Sequence, residues 1–326
     1  MAPATNRRDF LGILLGSAPA FAFSFGAARP ASGFPGLLPS RAFGQSPTPV
    51  TGTPLGDNLI HFTGAGGNVV VATGPAGLVM VNGGREEASV DLLRAVSEHT
   101  GGKRVQALFN TDWHRERTGS NETVGRAGAT IIAHEHTKQY LGAEIHVDWQ
   151  NRTYMPLPPE ALPNRTFYTS GTLEGPNPGE RIEYGHLGQA HTDAAIYVFI
   201  PAANVLVAGD ALSVGKYPIA DYTTGGWLGG LLAANKTLLG LADAETRIVP
   251  GVGPVQTRAD LQAQHDMLAA LRDRLPKMMK QGLGPEDILA AAPTREYDAK
   301  WGNPDLFVST ACRGLWLHVR ELGGIV

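Results

Sequence analysis

From residue 58 onward, the chain consists of short apolar runs separated by glycine-rich turns. Short runs rich in Val, Ile, Leu and Phe and bounded by Gly, Pro or Asn are typical of strands in a buried sheet. Residues 150–180, rich in Pro, Asn, Thr and Gly, predict a surface excursion with weak strands. Strands are predicted over residues 59–62, 68–73, 78–81, 105–109, 130–133, 181–187, 194–200, 205–208 and 247–249.

Longer segments repeat apolar residues at helical spacing. Val90, Leu93 and Val96, for example, recur three residues apart and predict one face of a helix. Strand-rich segments with helices on both outer faces favour an α/β fold, an αββα four-layer sandwich with a C-terminal helical extension. Helices are predicted over residues 89–99, 120–127, 225–241, 258–280, 285–291 and 304–322.

Composition narrows the class of protein. The 326 residues suffice for one large domain or two small ones, and 43% hydrophobic with 17% charged residues is typical of a globular protein. Cys312 is the single cysteine, which excludes an internal disulfide and a cysteine-based zinc cage within one chain. No basic stripe stands out, so nucleic acid is not an expected partner.

The first 44 residues predict an export signal. The segment Asn6-Arg7-Arg8-Asp9-Phe10-Leu11 resembles a twin-arginine motif, and an apolar stretch follows to about Phe25. That stretch is short and rich in Gly and Ala, so we expect no permanent membrane span after cleavage. Cleavage before Gln45, or earlier near Ala22, would give a periplasmic or secreted protein with a net charge of −6 in the first case. Residues 45–56 predict a linker.

The segment from Asn110 to Gly119 resembles the metal-binding loop of the metallo-β-lactamase superfamily. That family has His-x-His-x-Asp-His at the four positions where this chain has Asp112, His114, Glu116 and Arg117. The flanking Asn-Thr and Thr-Gly-x-Asn match the family closely. The resemblance implies the fold more firmly than the hydrophobic periodicity does.

Three later segments extend the resemblance over roughly residues 57–270. Gly188-Gln189-Ala190-His191-Thr192 resembles the segment with the family's third histidine ligand, and Asp210 ends a strand where the family has its bridging aspartate. Val252 stands where the family has its final histidine. The resemblance implies a domain core over residues 57–257, with the helices of residues 258–326 packed on the same domain.

Carried over position by position, the resemblance implies one metal site and the loss of a second. The ligands of the first metal would be Asp112, His114, His191 and Asp210, which suit one zinc ion, with manganese or iron left open. The second site would fall on Glu116, Arg117, Val252 and Asp210. Arginine stays protonated and valine has no donor atom, so that site cannot bind a metal.

The working hypothesis is an exported hydrolase that uses one metal-activated water. Glu116 would act as general base, Arg117 would stabilise an oxyanion, and Asp210 would serve both metal and chemistry. The substrate would be a small neutral organic ester, lactone, amide or activated halide in an aromatic cleft. The candidates for the wall, which could instead pack in the core, are Trp113, Tyr217, Tyr222 and Trp227.

The alternative is a metal-free relative that binds a ligand or a partner without turnover. Asp112, Glu116 and Asp210 around Arg117 would form a satisfied charge cluster that needs no metal. Asn82 also replaces the aspartate with which this family usually supports its metal site. The C-terminal apolar residues predict a helical cap or a homodimer contact.

Overall fold

The computed structural model describes residues 49–318. The predicted export signal, and the end of the helix predicted over residues 304–322, lie outside that part. The strands are β1 Thr51–Pro54, β2 Leu59–Thr63, β3 Val69–Gly74, β4 Gly77–Val81, β5 Val105–Phe109, β6 Thr130–His134, β7 Ile145–Val147, β8 Arg152–Tyr154, β9 Arg165–Phe167, β10 Ser170–Glu174, β11 Arg181–His186, β12 Ile196–Ile200, β13 Val205–Gly209 and β14 Arg247–Pro250.

The helices alternate with these strands or follow them. Across the described part of the chain, none combines the length and apolar character that crossing a membrane requires. The helices are α1 Ser89–Thr100, α2 Arg115–Thr118, α3 Asn121–Arg126, α4 Glu135–Leu141, α5 Leu228–Leu241, α6 Arg258–Met279, α7 Pro285–Ala290, α8 Asp298–Trp301 and α9 Asp305–Leu317.

Two sheets carry the fold. The larger has the strand order β1-β2-β3-β4-β5-β6-β9, antiparallel from β1 to β4 and parallel from β4 to β9. The smaller has the order β10-β11-β12-β13-β14 and is parallel only between β13 and β14. Parallel neighbours need a crossover, which α1 supplies between β4 and β5 and α5 supplies between β13 and β14.

The two sheets pack face to face with helices outside them. Side chains such as Phe109 from the larger sheet and Val207 from the smaller form one apolar core between the sheets. Leu92 of α1 packs on the outer face of the larger sheet, while Leu231 and Leu268 of α5 and α6 cover the smaller one. The predicted αββα sandwich is therefore confirmed, as is the packing of the C-terminal helices on the same domain as far as the structure describes them.

Two boundaries differ from the sequence prediction. Residues 45–56 are not simply a linker, because Thr51–Pro54 pairs with Leu59–Thr63 as the first strand of the larger sheet. Proline lacks an N–H donor, but an edge strand tolerates it, and Pro54 lies on such an edge. The helix Glu135–Leu141 was not predicted; it begins after His134, whose side chain accepts a hydrogen bond from the backbone N–H of His136.

One face of the last helix, α9, is buried. Phe307 and Leu315 pack in the core against the smaller sheet's helices, and Trp301 is buried beside them. Trp316 keeps 54% of its surface exposed. A homodimer contact through this helix stays a prediction.

Candidate metal centre

The loop after β5 is anchored from below by buried amides. Asn110 and Asn121 exchange two side-chain hydrogen bonds of 2.9 Å each, and Asn110 Nδ2 also donates to the carbonyl oxygen of Arg117 at 3.0 Å. Asn82 Oδ1 accepts from both the backbone N–H and the hydroxyl of Thr111. Asn82 has a φ of 68°, a left-handed backbone that asparagine tolerates better than most residues. The loop that presents His114 is therefore rigidly held.

The two histidines of the site point one free nitrogen each at the other. His191 Nδ1 lies 2.6 Å from the carbonyl oxygen of Ile219, which can only accept, so this nitrogen carries the proton. His114 Nε2 lies 3.1 Å from Asp221 Oδ2 and donates to that carboxylate. The remaining nitrogens, His114 Nδ1 and His191 Nε2, are 3.0 Å apart. Metal-binding histidines are oriented in this way by carboxylates and backbone carbonyls.

Asp210 completes a three-residue group. Its Oδ2 lies 3.8 Å from His191 Nε2, and ligand atoms of His114, His191 and Asp210 all lie within 4.8 Å of one another. Two imidazole nitrogens and a carboxylate oxygen are donor types that zinc binds, and three such ligands suit a site that also takes a water. Between residues 49 and 318 this is the only group of histidine, cysteine and acidic side chains with such geometry.

When no metal is bound, a proton must lie between the two facing ring nitrogens, His114 Nδ1 and His191 Nε2. Burial alone would lower the pKa of His114, but the hydrogen bond to Asp221 and the charges of Asp112, Asp221 and Asp210 raise it to about 9. A protonated His114 can donate from Nδ1 to His191 Nε2. The pocket is therefore built for a positive charge.

Arg117 occupies the opposite side of Asp210. The guanidinium is almost fully buried, and its Nη2 lies 2.6 Å and 2.7 Å from the two carboxylate oxygens of Asp210. Burial alone would raise the pKa of Asp210, but Arg117 and then His191 hold it well below its usual range. The guanidinium stands where the resemblance implied that a second metal site had been lost.

Asp112 does not join the group that could bind a metal, which corrects the ligand set expected from the resemblance. Its Oδ1 accepts a hydrogen bond of 2.8 Å from the backbone N–H of His114, and its Oδ2 faces Arg117 Nε at 3.9 Å. Burial raises the pKa of Asp112. A carboxylate is shorter than the imidazole that the family has at this position, and this one folds back onto its own loop.

Glu116 lies on the wall of the cavity above the site and not among the possible ligands. Its Oε1 pairs with Arg85 Nη2 at 2.9 Å, and the glutamate side chain is 30% exposed. The role of general base stays a prediction.

The cavity has a volume of about 290 Å³ and opens over the three candidate ligands. Its wall is mixed, because charged and polar side chains lie beside Trp149, Ile219 and Val252, so it is not the predominantly apolar, aromatic cleft that the sequence predicts. The side chains around the mouth include two cations, one acid, one amide, one hydroxyl and one indole, namely Arg85, Lys216, Glu116, Gln150, Ser213 and Trp149.

None of the four aromatic residues predicted for the substrate wall lines this cavity. Trp113 is fully buried, and its Nε1 donates to the hydroxyl of Thr224. Tyr217 is buried in a stack against α9, and Trp227 stacks on the end of that helix. Tyr222 lines a different cavity. Each lies close to a predicted ligand in sequence, but its side chain points into the core or toward the C-terminal helices.

Asp221 is the functional residue that the sequence analysis missed. It is fully buried, and its two oxygens accept from His114 Nε2, Trp149 Nε1, the backbone N–H of Thr223 and the hydroxyl of Thr224. Burial alone would raise the pKa of Asp221, but His114 lowers it to about 2. In sequence it stands 107 residues from His114, and no local pattern marks the contact.

Comparison with known proteins agrees with this geometry. The model of the metallo-beta-lactamase superfamily matches residues 62–261, more than half of the chain, and the protein therefore belongs to that superfamily. Among solved structures, a metallo-beta-lactamase from Pontibacter korlensis matches with 20% identity and a TM-score of 0.54, over 68% of this chain and 99% of that one. The DIM-1 metallo-beta-lactamase matches with 16% identity and a TM-score of 0.53, over 68% and 97%.

A double mutant of the sec-alkyl sulfatase PisA1 covers more of this chain. It matches with 16% identity and a TM-score of 0.60, over 84% of this chain and 50% of the sulfatase. At such low identities the solved structures show a shared fold alone. Comparison with curated protein sequences finds no match.

Replacing Arg117 by methionine should strongly destabilise the protein. Arg117→Met leaves the buried Asp210 without its cation, which typically lowers the free energy of unfolding by about 3–5 kcal/mol. Urea unfolding at neutral pH measures this. The control is Arg126→Met, since the Arg126 side chain is 62% exposed in its pair with Glu122, and that change should cost less than about 1 kcal/mol. Equal midpoints for both variants would show that Arg117 has no structural role.

Proposed function

We propose that the protein is an exported hydrolase that uses one metal ion, zinc in the first instance, to cleave a small organic substrate. The observation that carries the proposal is the pair of inner ring nitrogens, His114 Nδ1 and His191 Nε2, which face each other at 3.0 Å beside Asp210. Their outer nitrogens are both committed to acceptors, so only the inner ones are free to bind a cation. Manganese and iron suit the same donors.

His114, His191 and Asp210 would hold the ion, and it would supply a Lewis acid and an activated water. The role of the surrounding residues is to orient these three donors. Asp221 and the carbonyl of Ile219 fix the two rings, and Arg117 keeps Asp210 ionised. A carboxylate held ionised at neutral pH remains available as a ligand.

Arg117 also places a fixed positive charge beside the candidate ligands. It borders the cavity, so negative charge that develops on a substrate oxygen there would lie close to a buried guanidinium. Preorganised charges of this kind stabilise oxyanions without reorganisation. Glu116, on the same wall, is the group we propose as proton acceptor.

The wall of the cavity favours a substrate that carries an anionic group. Lys216 is exposed at the mouth and Arg85 is half exposed beside it, whereas Glu116 already pairs with Arg85. Substrates with an ester, lactone, amide or activated halide remain the candidates for the reacting bond. A volume of about 290 Å³ accommodates a small molecule better than a polymer.

A metal-free binding protein is the second candidate, and one observation favours it. Arg117 Nη2 contacts both oxygens of Asp210, so the carboxylate is neutralised whether or not a metal binds. In that case the cavity with Arg85 and Lys216 would bind an organic anion without turnover.

Metal content separates the two candidates. Protein purified without added metal should contain about one equivalent of zinc, manganese or iron by elemental analysis, because the site has one complete donor set. His114→Ala and His191→Ala should each lose it, whereas His146→Ala, at a side chain that is 49% exposed, should not. Absence of metal, together with an unchanged melting temperature after chelation, would favour the binding protein.

Asp221→Asn should weaken the metal site while it leaves the ligands in place. The amide cannot accept from His114 Nε2 as strongly as the carboxylate does, and losses of this kind reduce metal affinity by about 10–100-fold. Competition with a fluorescent zinc chelator measures the affinity. Asp266→Asn is the matched control, since that side chain is 66% exposed on α6. Equal affinities in the two variants would mean that Asp221 does not orient His114.

Export is proposed from the sequence alone. A twin-arginine host should process the chain before residue 46 and deliver it outside the cytoplasm, because Arg7 and Arg8 precede the apolar stretch. Replacing both arginines by lysine should retain the full-length chain in the cytoplasm. Fractionation followed by N-terminal sequencing measures the outcome, and export of the double variant would contradict the assignment.

A further inference from the structure

A second cavity lies on the C-terminal side of the domain. It has a volume of about 640 Å³, more than twice the volume above the candidate metal centre, and shares no lining residue with it. One side is the face of α9 that carries Cys312, Arg313 and Trp316. The other side is formed by the end of α6 with the loop that follows it, together with Tyr222. Ligand sites for small organic molecules fall in this range of volumes.

The wall of this cavity is mainly apolar and aromatic. Met279 and Leu283 pack against the core on one side and border the cavity on the other. Trp316 is 54% exposed although its indole borders a concave surface. Apolar surface in a concavity is favourably removed from water when an apolar molecule fills it. The wall therefore suits a ligand with an aliphatic or aromatic body.

One basic side chain gives the cavity its charge preference. Arg313 is exposed on the wall and forms no ion pair with any residue from 49 to 318. The one acid on the wall, Asp148, is exposed and lies 3.8 Å from His146 Nε2. An exposed guanidinium beside an aromatic wall is suited to a carboxylate carried on an apolar body.

We propose that this cavity binds an amphipathic organic carboxylate, with its apolar body against Trp316 and its anionic group at Arg313. This site is separate from the metal centre and does not depend on the hydrolysis proposed above. Decanoate is the probe, because it combines a ten-carbon chain with one carboxylate. Titration calorimetry on the full chain should show one site per chain.

Three matched comparisons test the proposal. Decyltrimethylammonium, which has the same chain and the opposite charge, should bind more weakly than decanoate. Arg313→Gln should weaken decanoate binding by about fivefold, the size of one exposed ion pair, and Arg126→Gln should not change it. Trp316→Ala should weaken both decanoate and decanol, because it removes apolar wall. Stronger binding of the cation, or decanoate binding that neither the Arg313 nor the Trp316 variant alters, would overturn the proposal.

Cys312 reports where the probe binds. It is the single cysteine of the chain and lines the cavity, but it is only 3% exposed and burial raises the pKa of its thiol to about 11. A small thiol reagent at alkaline pH is therefore used to read the occupancy of this place. Decanoate should slow labelling by methyl methanethiosulfonate in proportion to the fraction bound, as followed by mass spectrometry. An unchanged labelling rate at saturating decanoate would place the probe elsewhere and overturn the assignment. Neither measurement requires the protein to hydrolyse a substrate.

Discussion

The contact between Arg117 and Asp210 is the interaction on which the rest of the site depends. Asp210 is held from one side by a buried guanidinium and faces His191 on the other. The arginine neutralises Asp210 but not Asp221, which is also buried and is balanced only through His114. A positive charge at His114, from a proton or a bound cation, would balance the carboxylate of Asp221.

Two glycines, Gly67 and Gly251, leave space for the guanidinium of Arg117 because they carry no side chain. A Cβ at Gly67 would clash with Arg117 Nη1, and a Cβ at Gly251 would clash with both Arg117 Nη2 and Asp210 Oδ1. Gly251 belongs to the turn where the family has its last histidine one residue further on. The guanidinium of Arg117 and the turn that contains Val252 thus lie together, at the place where the resemblance implies a second metal site in the family. A guanidinium differs from an ion in that it cannot be removed by chelation.

The sequence was sufficient to predict the layers of the fold, and the structure brings three of the four expected ligand positions together. Strong apolar runs such as Val205–Gly209 form buried strands whichever strand they pair with, so the local hydrophobic pattern is enough to predict them. His114 follows β5 of the larger sheet, and His191 and Asp210 follow β11 and β13 of the smaller one, so the packing of the two sheets brings them together. Asp112 stays outside this group, because its short carboxylate accepts from the backbone N–H of His114 and faces Arg117.

The direction of the aromatic side chains could not be read from the sequence either. Tyr217, Tyr222 and Trp227 lie in a connection that passes near the metal centre, but its backbone turns several times between Asp210 and α5. Asp221, in the same connection, is directed toward His114, and its contact depends on a fold that joins residues 107 positions apart.

That connection also joins the two cavities. Asp221 orients His114, whereas the next residue, Tyr222, lines the C-terminal cavity. The short 3-10 helix Asp148–Gln150 also lies between the two cavities, because Trp149 donates a hydrogen bond to Asp221 and Asp148 borders the second cavity. Two short segments therefore separate the cavities, and both contact Asp221. A ligand that displaced Tyr222 or Asp148 would change the orientation of His114 through Asp221. Of the properties of the first site, metal affinity should therefore respond most to ligand binding in the second cavity.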